Sequence, residues 1–96
     1  MDAKKLVETL QNHVRYVRGI AGGVRADLRN ADLSTLKLKN VNLCGAILSG
    51  TNFTDAVLTG ADFSTADLFC AIFERADATG ANFDRSDLRG ANFRGA

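Results

Sequence analysis

The amino-acid sequence predicts an all-β solenoid preceded by a short capping α-helix, and three observations carry that expectation. From Ala26 to Gly95 the chain divides into five-residue units without one insertion. The middle residue of those units is Leu or Phe in every case but Ala78. Residues 2–18 lack this repeat and place their apolar residues at helical spacing instead.

The repeat decides the fold. Cut every five residues, the chain reads ADLRN, ADLST, LKLKN, VNLCG, AILSG, TNFTD, AVLTG and so on to ANFRG, fourteen units over residues 26–95. The centres are Leu28, Leu33, Leu38, Leu43, Leu48, Phe53, Leu58, Phe63, Leu68, Phe73, Ala78, Phe83, Leu88 and Phe93. Ala stands two places before the centre in ten units, and Asp or Asn stands just before it in ten. A helix of 3.6 residues per turn would spread the centres around its whole circumference, and a strand would alternate them between two faces. A period of five fits a chain that turns one corner per unit and always aims its centre inward. The small residue two places earlier also points in, where a second large side chain would not fit. Asp and Asn can bond their own turn backbone, and the Gly that closes six units relaxes the dihedral demand of the corner.

Tandem A(D/N)(L/F)XX over these units resembles the pentapeptide-repeat family, across 70 of the 96 residues. The resemblance implies a right-handed, quadrilateral β-helix with four units, hence twenty residues, per coil, and so about 3.5 coils for fourteen units. Sorting the centres by every fourth unit then gives four walls. The first holds Leu28, Leu48, Leu68 and Leu88; the second Leu33, Phe53, Phe73 and Phe93; the third Leu38, Leu58 and Ala78; the fourth Leu43, Phe63 and Phe83. All five Phe fall on the second and fourth walls, where rings one coil apart can stack in offset ladders. Ala78 leaves its wall underfilled beside Leu58, which predicts a local void or an inward shift.

The ends read differently. Over residues 2–18, Asp2 is placed to cap a helix whose apolar stripe is Leu6, Leu10, Val14 and Val17, and Gly19, Gly22 and Gly23 stop it. This helix is expected to lie over the open first coil; a basic amphipathic helix lying on a membrane or a partner is the other reading, from a net +3 in residues 1–25. At the other end Phe83, Leu88 and Phe93 belong to the last layer, with no capping segment after them in this sequence. That layer is the candidate end-to-end interface, a two-fold homodimer being one way to cover it and a longer chain the other.

Composition excludes several functions. The net charge of +1 gives no reason to expect nucleic acid or an anionic membrane as partner. No run of 18 apolar residues exists to span a bilayer, and MDAKKLVETL is not a secretory signal. Cys44 and Cys70 are too few for a disulfide framework and suit a reduced, cytoplasmic setting. With His13 as the sole histidine there is no zinc pattern, and a place on the helix surface or at the cap interface accounts for it. Asp27, Asp32, Asp62, Asp67, Asp77 and Asp87 share one repeat position, so turn formation explains them better than acid pairs or calcium ligation. The three glycines before the repeat lack the order of a phosphate loop. No catalytic residue, cofactor or metal is expected.

What remains is surface. Ile47, Phe69 and Ile72 put apolar side chains at outward places, and a contiguous patch of the three is a candidate contact site for a protein partner of unknown identity. The leading expectation is a non-catalytic scaffold or interaction module. The resemblance also raises DNA mimicry, since some family members protect type II topoisomerases with a long acidic dimeric rod. Duplex DNA carries one charge per about 1.7 Å, so a shaft roughly 17 Å tall would need about ten negative charges. Residues 26–96 hold nine acidic and seven basic side chains, which argues against it. A spacer or regulatory module at the front of a larger protein is the remaining alternative.

Overall fold

The computed structural model describes residues 1–96 and contains one helix, α1 (Ala3–Arg18), followed by stacked turns of chain. Asp2 caps α1 by accepting the Lys5 N–H at 2.7 Å. Gly19 ends it in the left-handed region at φ 70°, and the Ile20 N–H closes back on the Arg15 carbonyl at 2.9 Å. The connector then folds against the helix so closely that a Cβ on Gly23 would lie 2.6 Å from the Tyr16 Cα. Glycine is needed at that crossing.

From Asp27 on, ten isolated parallel bridges join residue n to residue n+20, from Asp27↔Ile47 to Ile72↔Asn92. No extended strand forms. Each unit contributes one bridge residue at its second place and a turn at its fourth and fifth, so the walls expected as β-structure are single-residue contacts. The reason is geometric: a corner every five residues leaves too little straight chain for a longer ladder.

The fate of the backbone N–H groups explains why the sequence repeats as it does. In the second unit the first-place Ala31 N–H bonds the Leu28 carbonyl across the corner, and the third- and fifth-place N–H groups of Leu33 and Thr35 bond Asn52 and Thr54 one coil on. A second-place N–H bonds one coil back, as Asn52 does to Ala31. The fourth-place N–H has no backbone partner, and the Asp or Asn side chain supplies one. In all ten units that carry Asp or Asn, its Oδ1 accepts the N–H two residues on, from Arg29 to Arg94. The fifth place is left-handed in every unit, at φ 55–64° in the eight that are not glycine and near 70° in the six that are.

Inside the shaft lie Leu28, Leu33, Leu43, Leu48, Phe53, Leu58, Phe63, Leu68 and Phe73, each no more than 1% exposed, with the Ala residues beside them. Phe53 stacks on Phe73 at 5.0 Å, Phe73 on Phe93 at 4.7 Å and Phe63 on Phe83 at 5.3 Å, while rings of opposite walls meet edge to face, as Phe63 and Phe73 do at 5.7 Å. Thr51 replaces Ala inside and is satisfied by donating to the Leu28 carbonyl at 2.8 Å. Leu6 and Leu10 of α1 pack on this core and His13 is fully buried against it. Val17, expected in the same stripe, is 39% exposed and does not pack on the core. Leu38, on the third wall of the first coil, stays half-buried.

Ala78 corrects a second expectation. The two cavities of the molecule lie against α1, and neither is lined by Ala78. Ala78 is the last residue of the third wall within residues 1–96, is half-buried and packs against the core, and no enclosed void is found beside it.

Candidate functional site

The repeat explains what the acidic side chains do. Asp32 accepts both the N–H and the Oγ–H of Ser34, at 3.0 and 2.6 Å, and Asp62 and Asp77 serve Ser64 and Thr79 in the same way. The Ser34 bonds hold the Asp32 carboxyl, and the Thr79 bonds that of Asp77, below the usual carboxylate range. On the first wall Arg29 forks onto Asp27 and Arg89 onto Asp87, and the guanidinium of Arg89 lowers Asp87 to about 2. Asp55 pairs with Arg75 one coil on at 3.0 Å. The second-place carboxylates are thus all bonded to their own turns, and Asp27 and Asp87 are also paired with arginine. No group of three or more His, Cys, Asp or Glu side chains gathers to hold a metal ion.

The two cysteines are free thiols. Cys44 sits half-buried beside the Ser64 hydroxyl, which donates to its Sγ at 3.3 Å, and Cys70 is exposed at a corner.

The outward apolar residues fall in different columns of the surface. Ile47 bridges between Asp27 and Asp67, and Ile72 between Asn52 and Asn92. Both are half-buried, whereas Phe69 is 46% exposed, with the Arg89 guanidinium 5.6 Å from its ring centre. Phe69 is the aromatic projection of the first wall, whose equivalent places carry Arg29, Ser49 and Arg89.

The last layer presents a different surface. Along the second wall Phe53 and Phe73 are fully buried and Phe93 is 38% exposed. Phe83 and Leu88 are half-buried. At the opposite end His13, which the sequence reading placed at the helix surface or cap interface, lies at the interface and bonds two parts of the first coil. Its Nδ1 accepts the Ala26 N–H at 2.9 Å and its Nε2–H donates to the Cys44 carbonyl at 2.7 Å. That role was missed by sequence reasoning, although Leu6, Leu10 and His13 share one helical face by their spacing of four and three.

Stacked corners with n-to-n+20 pairing, internally satisfied polar groups and unmet apolar surface at a coil end define a solenoid repeat protein. The family model for pentapeptide repeats matches residues 37–73 and 66–96 in eight copies, and the chain belongs to that family. Among solved structures it is similar to a pentapeptide repeat protein from the Arabidopsis thaliana thylakoid lumen, at 35% identity over 72% of this chain and 59% of that one, with a TM-score of 0.38. A pentapeptide repeat protein from the cyanobacterium Cyanothece matches at 25% identity over 73% of this chain and 58% of that one, TM-score 0.36. One from Nostoc matches at 33% identity over 84% and 71%, TM-score 0.32. The chain therefore spans less than two thirds of the length of the first two. No curated protein matches the sequence.

Proposed function

We propose that this pentapeptide-repeat protein is a non-catalytic scaffold that engages protein through the exposed layer of its last coil. The shaft is read as a right-handed, four-sided β-helix, in which twenty-residue pairing and fourteen units give 14/4, or 3.5, coils, with α1 as its N-terminal cap. One observation carries the functional reading. Phe93 continues a column whose other rings are fully buried, yet it remains 38% exposed with nothing stacked on its outer face. The surface that fits it is another coil end with the same wall spacing, and a second copy of this chain supplies one. Further repeats beyond residue 96, in a longer chain, would cover the same face, so the measurement is made on residues 1–96. Sedimentation equilibrium is expected to show a dimer that Phe93→Lys converts to monomer with an unchanged circular dichroism spectrum. A wild-type chain that stays monomeric at about 100 µM, a concentration at which any specific contact of useful affinity is populated, would remove the proposal.

DNA mimicry finds less support, because Asp27, Asp55 and Asp87 each carry an arginine partner. No helix is long and apolar enough to cross a membrane. A cytoplasmic location is proposed from the two unpaired thiols.

A further inference from the structure

We propose that His13 is a proton-sensitive latch: its neutral ring takes the place of the unit missing ahead of Ala26, and its protonation undocks α1 from the first coil. The argument starts from the bonds that every later unit receives from its neighbours. A first-place N–H, such as that of Ala31 or Ala46, bonds the carbonyl three residues back. For Ala26 that acceptor would be Gly23, and His13 Nδ1 accepts instead at 2.9 Å. A fourth-place carbonyl, such as that of Ser64, receives the fifth-place N–H of the coil before, here Gly45 at 2.8 Å. For Cys44 the corresponding donor would be Arg25, and His13 Nε2–H donates instead at 2.7 Å. One imidazole thus replaces a turn acceptor and a ladder donor at once, joining the start of the first coil to its end.

The partners also fix the tautomer. A backbone N–H can only donate and a carbonyl can only accept, so Nδ1 must be bare and Nε2 must carry the proton. A second proton would sit on Nδ1 and point at the Ala26 N–H, setting donor against donor in a site with no exposed surface. Three groups with ionisable side chains surround the ring. Tyr16, on the same helix, stacks on it at 5.8 Å; Cys44 belongs to the first coil; Arg25, on the connector, is tied to the Gly45 carbonyl at 2.6 Å. Arg25 opposes a second positive charge. Burial is the main cause that pushes the imidazole below its ordinary value of 6.5, with Arg25 adding to it and the Cys44 carbonyl opposing. The folded ring therefore holds its proton less tightly than the unfolded one. Docking is complete above pH 6.5 and weakens as the pH falls below it.

The chain has one histidine and one tyrosine, so both partners of the stack report separately. The experiment is an NMR titration of the full 96-residue chain from about pH 7.5 to 5, with amide exchange corrected for intrinsic rates. Asp32 and Asp87, held below the usual carboxylate value, titrate below this window. The His13 ring is expected to protonate below 6.5, and the Ala26 amide and those of α1 to lose about tenfold or more in protection, the scale of one lost hydrogen bond with its desolvated partner. The amides of Phe53 and Phe73 should keep theirs. His13→Gln, which cannot serve both partners, should show low protection at Ala26 that no longer changes with pH. A ring titrating at 6.5 or above, unchanged protection at Ala26, or loss at Ala26 only together with Phe53 and Phe73 would each overturn the latch. The wild-type titration decides the matter even where the variant does not fold.

Discussion

Phe73→Ala tests the stacked core most directly. The ring is fully buried and meets four others: Phe53 and Phe93 face to face at 5.0 and 4.7 Å, Phe63 and Phe83 edge to face at 5.7 Å each. Removing it leaves a cavity closed by the coils on either side, so the full large-to-small cost of about 3–5 kcal/mol applies. Phe93→Ala is the control on the same wall. Phe93 has two ring partners, Phe73 and Phe83, and is 38% exposed, so no enclosed cavity forms. Only transfer energy is lost there, about 1–2 kcal/mol when the burial value for Phe is scaled by the covered fraction. A domain of this size is stable by about 5–15 kcal/mol, so both variants should fold and remain measurable. Urea denaturation followed by circular dichroism, at a concentration where sedimentation shows each protein to be monomeric, gives both numbers. Equal losses for the two variants would refute a continuous aromatic column.

Two further outcomes follow from the corners and the carboxylates. Gly50 and Gly80 share φ near +70°, which costs alanine about 1–2 kcal/mol, but a Cβ on Gly50 would collide with the Asn30 side chain while one on Gly80 meets only the Gly60 nitrogen at 4.0 Å. Gly50→Ala should therefore melt well below Gly80→Ala, and equal melting temperatures would show that Asn30 moves aside freely. In acid, Asp27, Asp32, Asp77 and Asp87 have folded values below the usual 3.8, so their contribution is held above that pH and lost as the pH falls toward about 2 for Asp87. With falling pH, protection at Ala26 should be lost below 6.5 in the wild type and show no such step in His13→Gln, whereas shaft stability should fall below about 4 in both proteins; a single transition shared by Ala26 and the shaft would contradict the separation.

How much was legible in the sequence follows from which bonds are periodic. The inward Leu and Phe, the turn-forming Asp and Asn and the need for a left-handed fifth place recur in nearly every unit, and fourteen repetitions make each visible. The vertical order of Phe53, Phe73 and Phe93 follows from adding twenty. Positions where the period stops were harder to read. Ala78 looked like a hole because a small side chain beside Leu58 reads as missing volume, and only its place in the outermost coil of residues 1–96 shows what lies on its other side. Val17 looked like core because helical spacing says which residues share a face, not where the neighbour beneath that face ends. Ile47, Phe69 and Ile72 interrupt the repeat at outward places, and the sequence could not show that Arg89 lies over the Phe69 ring.

The same reasoning says where chemistry can reside in such a fold. Within the shaft each unit borrows its missing partners from the coil before and the coil after, so interior polar groups have nothing left to offer a ligand. Only a unit without a neighbour has bonds to give. At the N-terminal end two of those bonds go to one side chain, His13, whose two nitrogens must be one acceptor and one donor to satisfy Ala26 and Cys44 together. Lysine, arginine or a carboxylate offers only one of the two roles in its charged form, and glutamine lacks the fixed spacing of the ring. A neutral imidazole meets both demands, and it is also the side chain whose charge changes nearest neutral pH. The group that completes the coil thereby carries a proton sensitivity nearer neutral pH than that of the carboxylates in the repeat.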